Sequence, residues 1–74
     1  MGSKTMDKLF KTEIRLLMRK LTPEIRCNTQ ATDEDKLRKL VYRTNCGLPA
    51  GNKYSVKKTD VNEEGMASWN IALS

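Results

Sequence analysis

Residues 6–21 read MDKLFKTEIRLLMRKL and contain the longest helical repeat in the chain. The apolar side chains of this repeat recur three or four residues apart, which is the spacing of one face of an α-helix. They are Met6, Phe10, Ile14, Leu17 and Leu21. Thr5 can cap the start of the helix, and Asp7 then lies in its first turn, where negative charge suits the helix dipole. The stretch predicts an amphipathic helix with one buried face.

A row of cations occupies the other side of this predicted helix. Its members fall within roughly 80° of arc, and they are Lys8, Lys11, Arg15 and Arg19. Asp7 and Glu13 project elsewhere, so little cancels the local field. Phosphate backbones bind such rows because each neutralised phosphate releases condensed counterions. The row therefore favours phosphate binding, and a solvated helix face is the alternative.

Thr22 and Pro23 interrupt the helical repeat and indicate a new start. Proline cannot continue a helix but suits the first position of one, and Thr22 could cap it. We therefore predict a short second helix from Pro23 to Cys27 or Asn28. Residues 28–31 are polar and are interpreted as a connection.

The next helix is predicted to begin at Thr32. A capping hydroxyl there precedes Asp33, Glu34 and Asp35, which lie where the helix dipole is positive. The residues that recur at helical spacing after this start are Leu37, Leu40, Val41 and Thr44. Gly47 is the predicted end, and the glycine- and proline-containing residues 48–52 are predicted to form a loop.

Beyond this loop the pattern changes from helical to alternating. Tyr54 and Val56 share one face of a predicted strand, and a second strand alternates through Trp69, Ile71 and Leu73. Residues 60–65 between them have turn chemistry. The two segments predict an antiparallel hairpin whose Trp69 face closes over the helices.

The predicted fold class is therefore α+β, with two or three helices followed by a C-terminal antiparallel β-hairpin. Three helices and a two-stranded wing are the layout of a winged-helix module, although a helix pair packed on a hairpin has the same linear order. Residues 1–5 are interpreted as a disordered terminus or an expression scar. Residues 6–74 are expected to form a single small domain.

The composition argues against several classes of protein. The chain has 74 residues, no histidine and two cysteines, Cys27 and Cys46, without Cys-x-x-Cys spacing. We expect reduced thiols, an intracellular location in the cytoplasm or in the nucleus or nucleoid, and neither a metal site nor a cofactor. The longest apolar run is far shorter than a membrane span. No acid–base pair, activated nucleophile or phosphate-binding glycine loop indicates an enzyme.

Basic residues outside the first helix complete the candidate site. Lys36, Lys39 and Arg43 align on the outer face of the third predicted helix, with Tyr42 beside them. Its acidic first turn opposes insertion into a DNA groove. The candidate nucleic-acid-binding residues are Lys8, Lys11, Arg15, Arg19, Lys36, Lys39, Arg43, Lys53 and Lys57. For the hairpin lysines, protection of an exposed strand edge is the alternative, and the hairpin tip is acidic.

The leading functional interpretation is a small basic module that binds nucleic acid, with duplex DNA favoured over RNA, mainly through phosphate contacts. A transcription regulator would be such a module. Residues 1–30 carry seven of the 14 lysines and arginines against three acids, so the first helix should contribute most.

The alternative is an adaptor or small inhibitor that docks an acidic protein through the basic face of the first helix. Such a protein needs an apolar anchor. The margins of the first helix could provide one or support a homodimer, through Met6, Leu9, Leu16 and Met18.

Overall fold

The computed structural model describes residues 7–74, which form two α-helices and a three-stranded antiparallel sheet. The α+β class is therefore as predicted. The elements follow in the order α1 (Lys8–Arg19), β1 (Glu24–Gln30), a 3₁₀ turn (Ala31–Asp33), α2 (Glu34–Cys46), β2 (Tyr54–Val61) and β3 (Met66–Leu73). The predictions for residues 1–5 lie outside the described residues.

The predicted short second helix is wrong, because the segment after Pro23 is the strand β1. Ile25 and Thr29 are buried and Cys27 is half-buried, while the residues between them are exposed. This is the period of two that a strand requires. A strand therefore separates the two helices. Within residues 7–74 the three consecutive helices of a winged-helix module are not present.

Strand β3 lies at the centre of the sheet, with β1 and β2 as its antiparallel neighbours. Ile71 of β3 lies between Ile25 of β1 and Val56 of β2. The predicted hairpin of β2 and β3 is thus present, with a register shift between Lys58 and Asp60. One face of the sheet carries the helices and the other carries polar side chains.

The core lies between the helices and this inner sheet face. Trp69 and Ile71 are fully buried at its centre, as the alternation of the last strand predicted, and Leu73 packs against them. Tyr54 is also buried, and its hydroxyl donates to the carbonyl oxygen of Thr22 at 2.6 Å. This hydrogen bond joins the start of β2 to the chain just after α1.

The buried face of α1 differs from the predicted one. Met18 is fully buried and Ile14 nearly so, with Phe10 packed at the margin. Leu17, which we expected in the core, is 37% exposed, and Met18, expected at a margin, takes its place. Both choices satisfy helical spacing, and the position of the sheet beneath the helix decides between them. The cap is Asp7, which accepts from the backbone N–H of Phe10 at 2.8 Å.

Helix α1 ends at Arg19, and Leu21, two residues further on, has a left-handed backbone with φ of 59°. The Thr22 N–H donates to the Leu17 carbonyl and the Leu21 N–H to that of Met18, which is the hydrogen-bond pattern of a Schellman motif. The chain turns sharply there. It enters β1 after Pro23, which could not have extended the helix.

Helix α2 begins after the 3₁₀ turn and ends at Gly47, the predicted stop. The predicted cap, Thr32, lies within the turn, and Asp33 occupies the capping position. Near the end of the helix, Asn45 donates to the carbonyl oxygen of Tyr54 and accepts from its N–H, each at 2.9 Å. These two bonds fix α2 along β2.

Candidate nucleic-acid interface

The two cation rows meet in one groove between α1 and α2. The helices pack side by side, and the space between their outer surfaces is about 350 Å³. Six cations line it, three from each helix: Lys11, Arg15 and Arg19 from α1, and Lys36, Lys39 and Arg43 from α2. We call this set the basic groove. The sequence predicted each row separately, and the packing of the helices brings them together.

Hardly any charge in the basic groove is neutralised locally. Leu40 and Thr44 are the two remaining residues that line it, so none of the described lining residues is acidic. Lys36 is the one groove cation with an ion-pair partner among residues 7–74, a weak contact with Asp33 at 3.8 Å. The Thr44 hydroxyl donates to the Leu40 carbonyl, so this polar group at the floor of the groove already has a hydrogen-bond partner within α2. The other five groove cations have no ion-pair partner among residues 7–74.

Three of the candidate residues lie away from the basic groove. Lys8 is exposed at the first position of α1 and is absent from the groove lining. Lys53 donates to the carbonyl oxygen of Asn45 at 3.0 Å, where a cation suits the C-terminal end of α2. Lys57 is exposed on β2 and is paired in register with Asn70 of β3. The structure therefore brings together six of the nine candidates.

Two of the three carboxylates at the start of α2 contact cations of the same molecule. Glu34 binds Arg38 at 2.8 Å and Lys58 at 3.1 Å. The hydrogen bonds from Arg38 and from Lys58 hold the pKa of the Glu34 carboxyl below its usual value. Asp33 is buried beside Lys36. The carboxylates whose charge argued against insertion of this helix into a DNA groove are thus partly paired with cations of the same molecule.

A second cationic cluster surrounds Trp69 and was not anticipated from the sequence. Arg38 and Lys58 each lie 5.8 Å from the centroid of the Trp69 ring, and Glu34 joins the two. Because the ring is 1% exposed, it offers no face for stacking with a base. The sequence signal for the ion pair of Glu34 and Arg38 was their four-residue spacing, which places both on one face of a helix.

The remaining aromatic and sulfur groups are not organised around the groove. Tyr42 is 71% exposed on α2 but is not among the groove-lining residues. Cys46 is exposed and Cys27 is half-buried, with both thiols free. Burial raises the pKa of the Cys27 thiol to about 11, so this group is a poor nucleophile at neutral pH.

The hairpin tip is acidic, as the sequence predicted. Asp60, Glu63 and Glu64 are exposed around the turn. The Asn62 side-chain oxygen accepts from the backbone N–H groups of Glu64 and Met66, each at 2.9 Å, which holds the turn closed. The tip therefore presents carboxylates, and a phosphate contact there would be repulsive.

No described group of three histidine, cysteine or carboxylate residues could hold a metal ion. Neither helix of residues 7–74 is both long and apolar enough to cross a bilayer. Comparisons with protein-family models, curated proteins and solved structures gave no match. Geometry and charge are therefore the features of this chain from which a function can be inferred.

Proposed function

We propose that this protein binds nucleic acid, principally duplex DNA, through phosphate contacts made by the basic groove. One observation carries the proposal. Two helices each contribute three cations to the same groove, and none of the described lining residues is acidic. Cations gathered in this way create a positive potential that attracts a polyanion, and neutralising phosphates there releases counterions.

The proposed binding depends little on base sequence. Phosphate contacts fix the position of a protein on a duplex, whereas base contacts provide most of the specificity. The groove cations are supplemented by Lys8 at the start of α1. Binding in the manner of a winged-helix module, with α2 inserted in the major groove, is disfavoured because the first turn of α2 is acidic. Asp35 is exposed there, and Asp33 and Glu34 lie in the same turn.

The direct test reverses one charge on each helix. The Arg15→Glu/Lys39→Glu variant should bind labelled duplex DNA at least about tenfold more weakly at low salt, because each lost charged contact is worth about 1 kcal/mol or more. Fluorescence anisotropy measures the change. The matched control is Lys53→Glu/Lys57→Glu, which makes the same change in net charge outside the groove. Equal losses in both variants would show that net charge alone governs binding and would refute the groove.

Docking of an acidic protein is the second candidate, and it has one specific observation in its favour. Leu9 and Leu16 are 72% and 50% exposed on α1, so an apolar anchor is present on the helix that carries half of the groove. Poly-glutamate separates the two functions as a competitor. If poly-glutamate displaces duplex DNA only at ionic strengths at which simple salt also displaces it, the groove prefers phosphate. Displacement at much lower concentration would favour an acidic protein partner.

A further inference from the structure

One edge of the sheet lacks a partner among the described residues. Strand β1 pairs with β3 on one side only. The ladder is bounded by hydrogen bonds from the Leu73 N–H to the Pro23 carbonyl and from the Ala31 N–H to the Gly65 carbonyl. Antiparallel ladders alternate, so the odd-numbered residues of β1 bond to β3. The N–H and C=O groups of Glu24, Arg26, Asn28 and Gln30 therefore point away from the sheet.

The opposite edge, on β2, is protected against pairing in several ways. Arg38 donates to the Val56 carbonyl, and Asn45 occupies both backbone groups of Tyr54. The register shift between Lys58 and Asp60 breaks the regularity of the strand. Covering side chains, lysines and bulges are the means by which proteins block edge-to-edge association. Strand β1 has no register shift, and within residues 7–74 the Gln30 carbonyl is the one outward backbone group of the strand with a partner, the Thr29 hydroxyl.

One flank of α1 lies on the same side of the molecule. Helix α2 packs along β2 and α1 packs against α2, so α1 occupies the β1 side of the helical layer. Leu17, which is 37% exposed, lies roughly 160° around α1 from the middle of its groove cations, so it faces away from α2 and towards β1. Leu9 and Leu16 lie roughly 140–160° from the buried Ile14 and therefore point away from the sheet.

The charges on this side suit a second copy of the chain. The exposed flank carries one acid and one base, Glu13 and Lys20, and the free edge likewise carries Glu24 and Arg26. Opposite charges in equal number allow a surface to meet itself without net repulsion. The groove side of α1 would repel a second copy instead, because it is uniformly basic.

We propose that the protein forms a two-fold symmetric dimer in which β1 pairs antiparallel with β1 of a second copy. The two sheets become one six-stranded sheet, and the flanks of the two α1 helices that carry Glu13, Leu17 and Lys20 face each other above it. This interface is isologous, as a two-fold dimer requires. The proposal is independent of nucleic-acid binding.

The register with the longest overlap is centred on Cys27. It places Arg26 opposite Asn28 and Glu24 opposite Gln30 of the second copy, so no like charges face each other. The two Cys27 residues then form a non-hydrogen-bonded pair on the two-fold axis, with Cα atoms about 4.5 Å apart. In this arrangement the axis runs through the sheet, and both basic grooves lie on the same face of the dimer.

Sedimentation equilibrium without nucleic acid tests the dimer. The wild type should have twice the monomer mass of 8.5 kDa. Arg26→Pro should be monomeric, because proline removes an outward N–H and blocks the edge without breaking a bond to β3. Arg26→Ala, which keeps the N–H, should remain dimeric. Tryptophan fluorescence should show both variants folded.

A wild type that stays at the monomer mass up to its solubility limit would overturn the proposal, as would a folded Arg26→Pro variant that remains dimeric. Should Arg26→Pro unfold, Asn28→Pro serves in its place, with Asn28→Ala as its control. It removes another outward N–H of β1, and a folded Asn28→Pro variant that remained dimeric would equally contradict the interface.

Oxidation of Cys27 tests the register. In a Cys46→Ser background, diamide should link two copies, with the two thiols giving up two protons and two electrons as the diazene is reduced to the hydrazine. Cross-linking should be faster at higher pH, since the thiolate is the reacting form. Absence of a Cys27-linked species at a pH where iodoacetamide alkylates Cys27 would exclude the register centred on this residue.

Discussion

At the scale of single residues, the side chains of Trp69 and Thr29 form a buried hydrogen-bonded pair. The Trp69 Nε1–H donates to the Thr29 hydroxyl oxygen at 2.8 Å, and both side chains are almost fully buried. Thr29 in turn donates to the carbonyl oxygen of Gln30. The pair joins the central strand to β1 across the sheet. An indole donor buried without an acceptor would be destabilising.

Thr29→Val should therefore destabilise the protein by about 1–3 kcal/mol, because valine keeps the shape and leaves the indole N–H unpaired. Urea unfolding followed by the fluorescence of Trp69 measures this change. The matched control is Thr59→Val, since the Thr59 hydroxyl also donates to a backbone carbonyl but is exposed. A change within about 0.5 kcal/mol is expected there. Equal effects in the two variants would contradict the role assigned to the Thr29–Trp69 bond.

Single residues also mark where the sequence was sufficient and where it was not. The burial of Trp69 and Ile71 follows from strict alternation in an apolar strand. The exchange of Leu17 for Met18 in the core does not, because both lie at helical spacing from Ile14. Only the orientation of α1 on the sheet distinguishes them.

At the scale of elements, Glu34 links helix α2 to strand β2. It accepts hydrogen bonds from Arg38 on its own helix and from Lys58 on the strand. Arg38 also donates to the Val56 carbonyl, so the same cluster covers the edge of β2. The pKa of the Glu34 carboxyl lies below its usual 4.5 for this reason.

This shift makes stability depend on pH in a defined direction. The folded protein holds the Glu34 proton less tightly than the unfolded chain, so the contribution is fully present above pH 4.5 and is lost as the pH falls through the lowered pKa. Glu34→Gln should therefore flatten the acid side of the stability curve relative to the wild type. Urea midpoints between about pH 6 and pH 2.5 measure the difference. Glu63→Gln at the exposed tip is the control, and an equal flattening there would refute the assignment to Glu34.

Among the elements, β1 is the one that sequence patterning missed. Its seven residues include one large aliphatic side chain, Ile25, and Thr22-Pro23 before it has the chemistry of a helix start. The strand forms because β3, about 40 residues further along, supplies its hydrogen bonds. Helices α1 and α2 and the hairpin carry their patterns locally, and each was predicted near its observed position.

At the scale of the whole molecule, positive and negative charge are segregated. The basic groove holds six cations, and the hairpin tip holds three exposed carboxylates. The sequence located the cations of each helix and the acids of the tip. It did not reveal that the two cation rows face one another, because this depends on how α1 and α2 pack on the sheet.

The salt dependence of duplex binding is the decisive measurement for phosphate binding by the basic groove. Affinities of the wild type, Lys39→Ala and Lys57→Ala are measured over a series of salt concentrations. Log affinity should fall linearly with log salt, with a slope that is smaller by about one in Lys39→Ala and unchanged in Lys57→Ala. Absence of duplex binding at low salt, or the same slope in all three proteins, would contradict it.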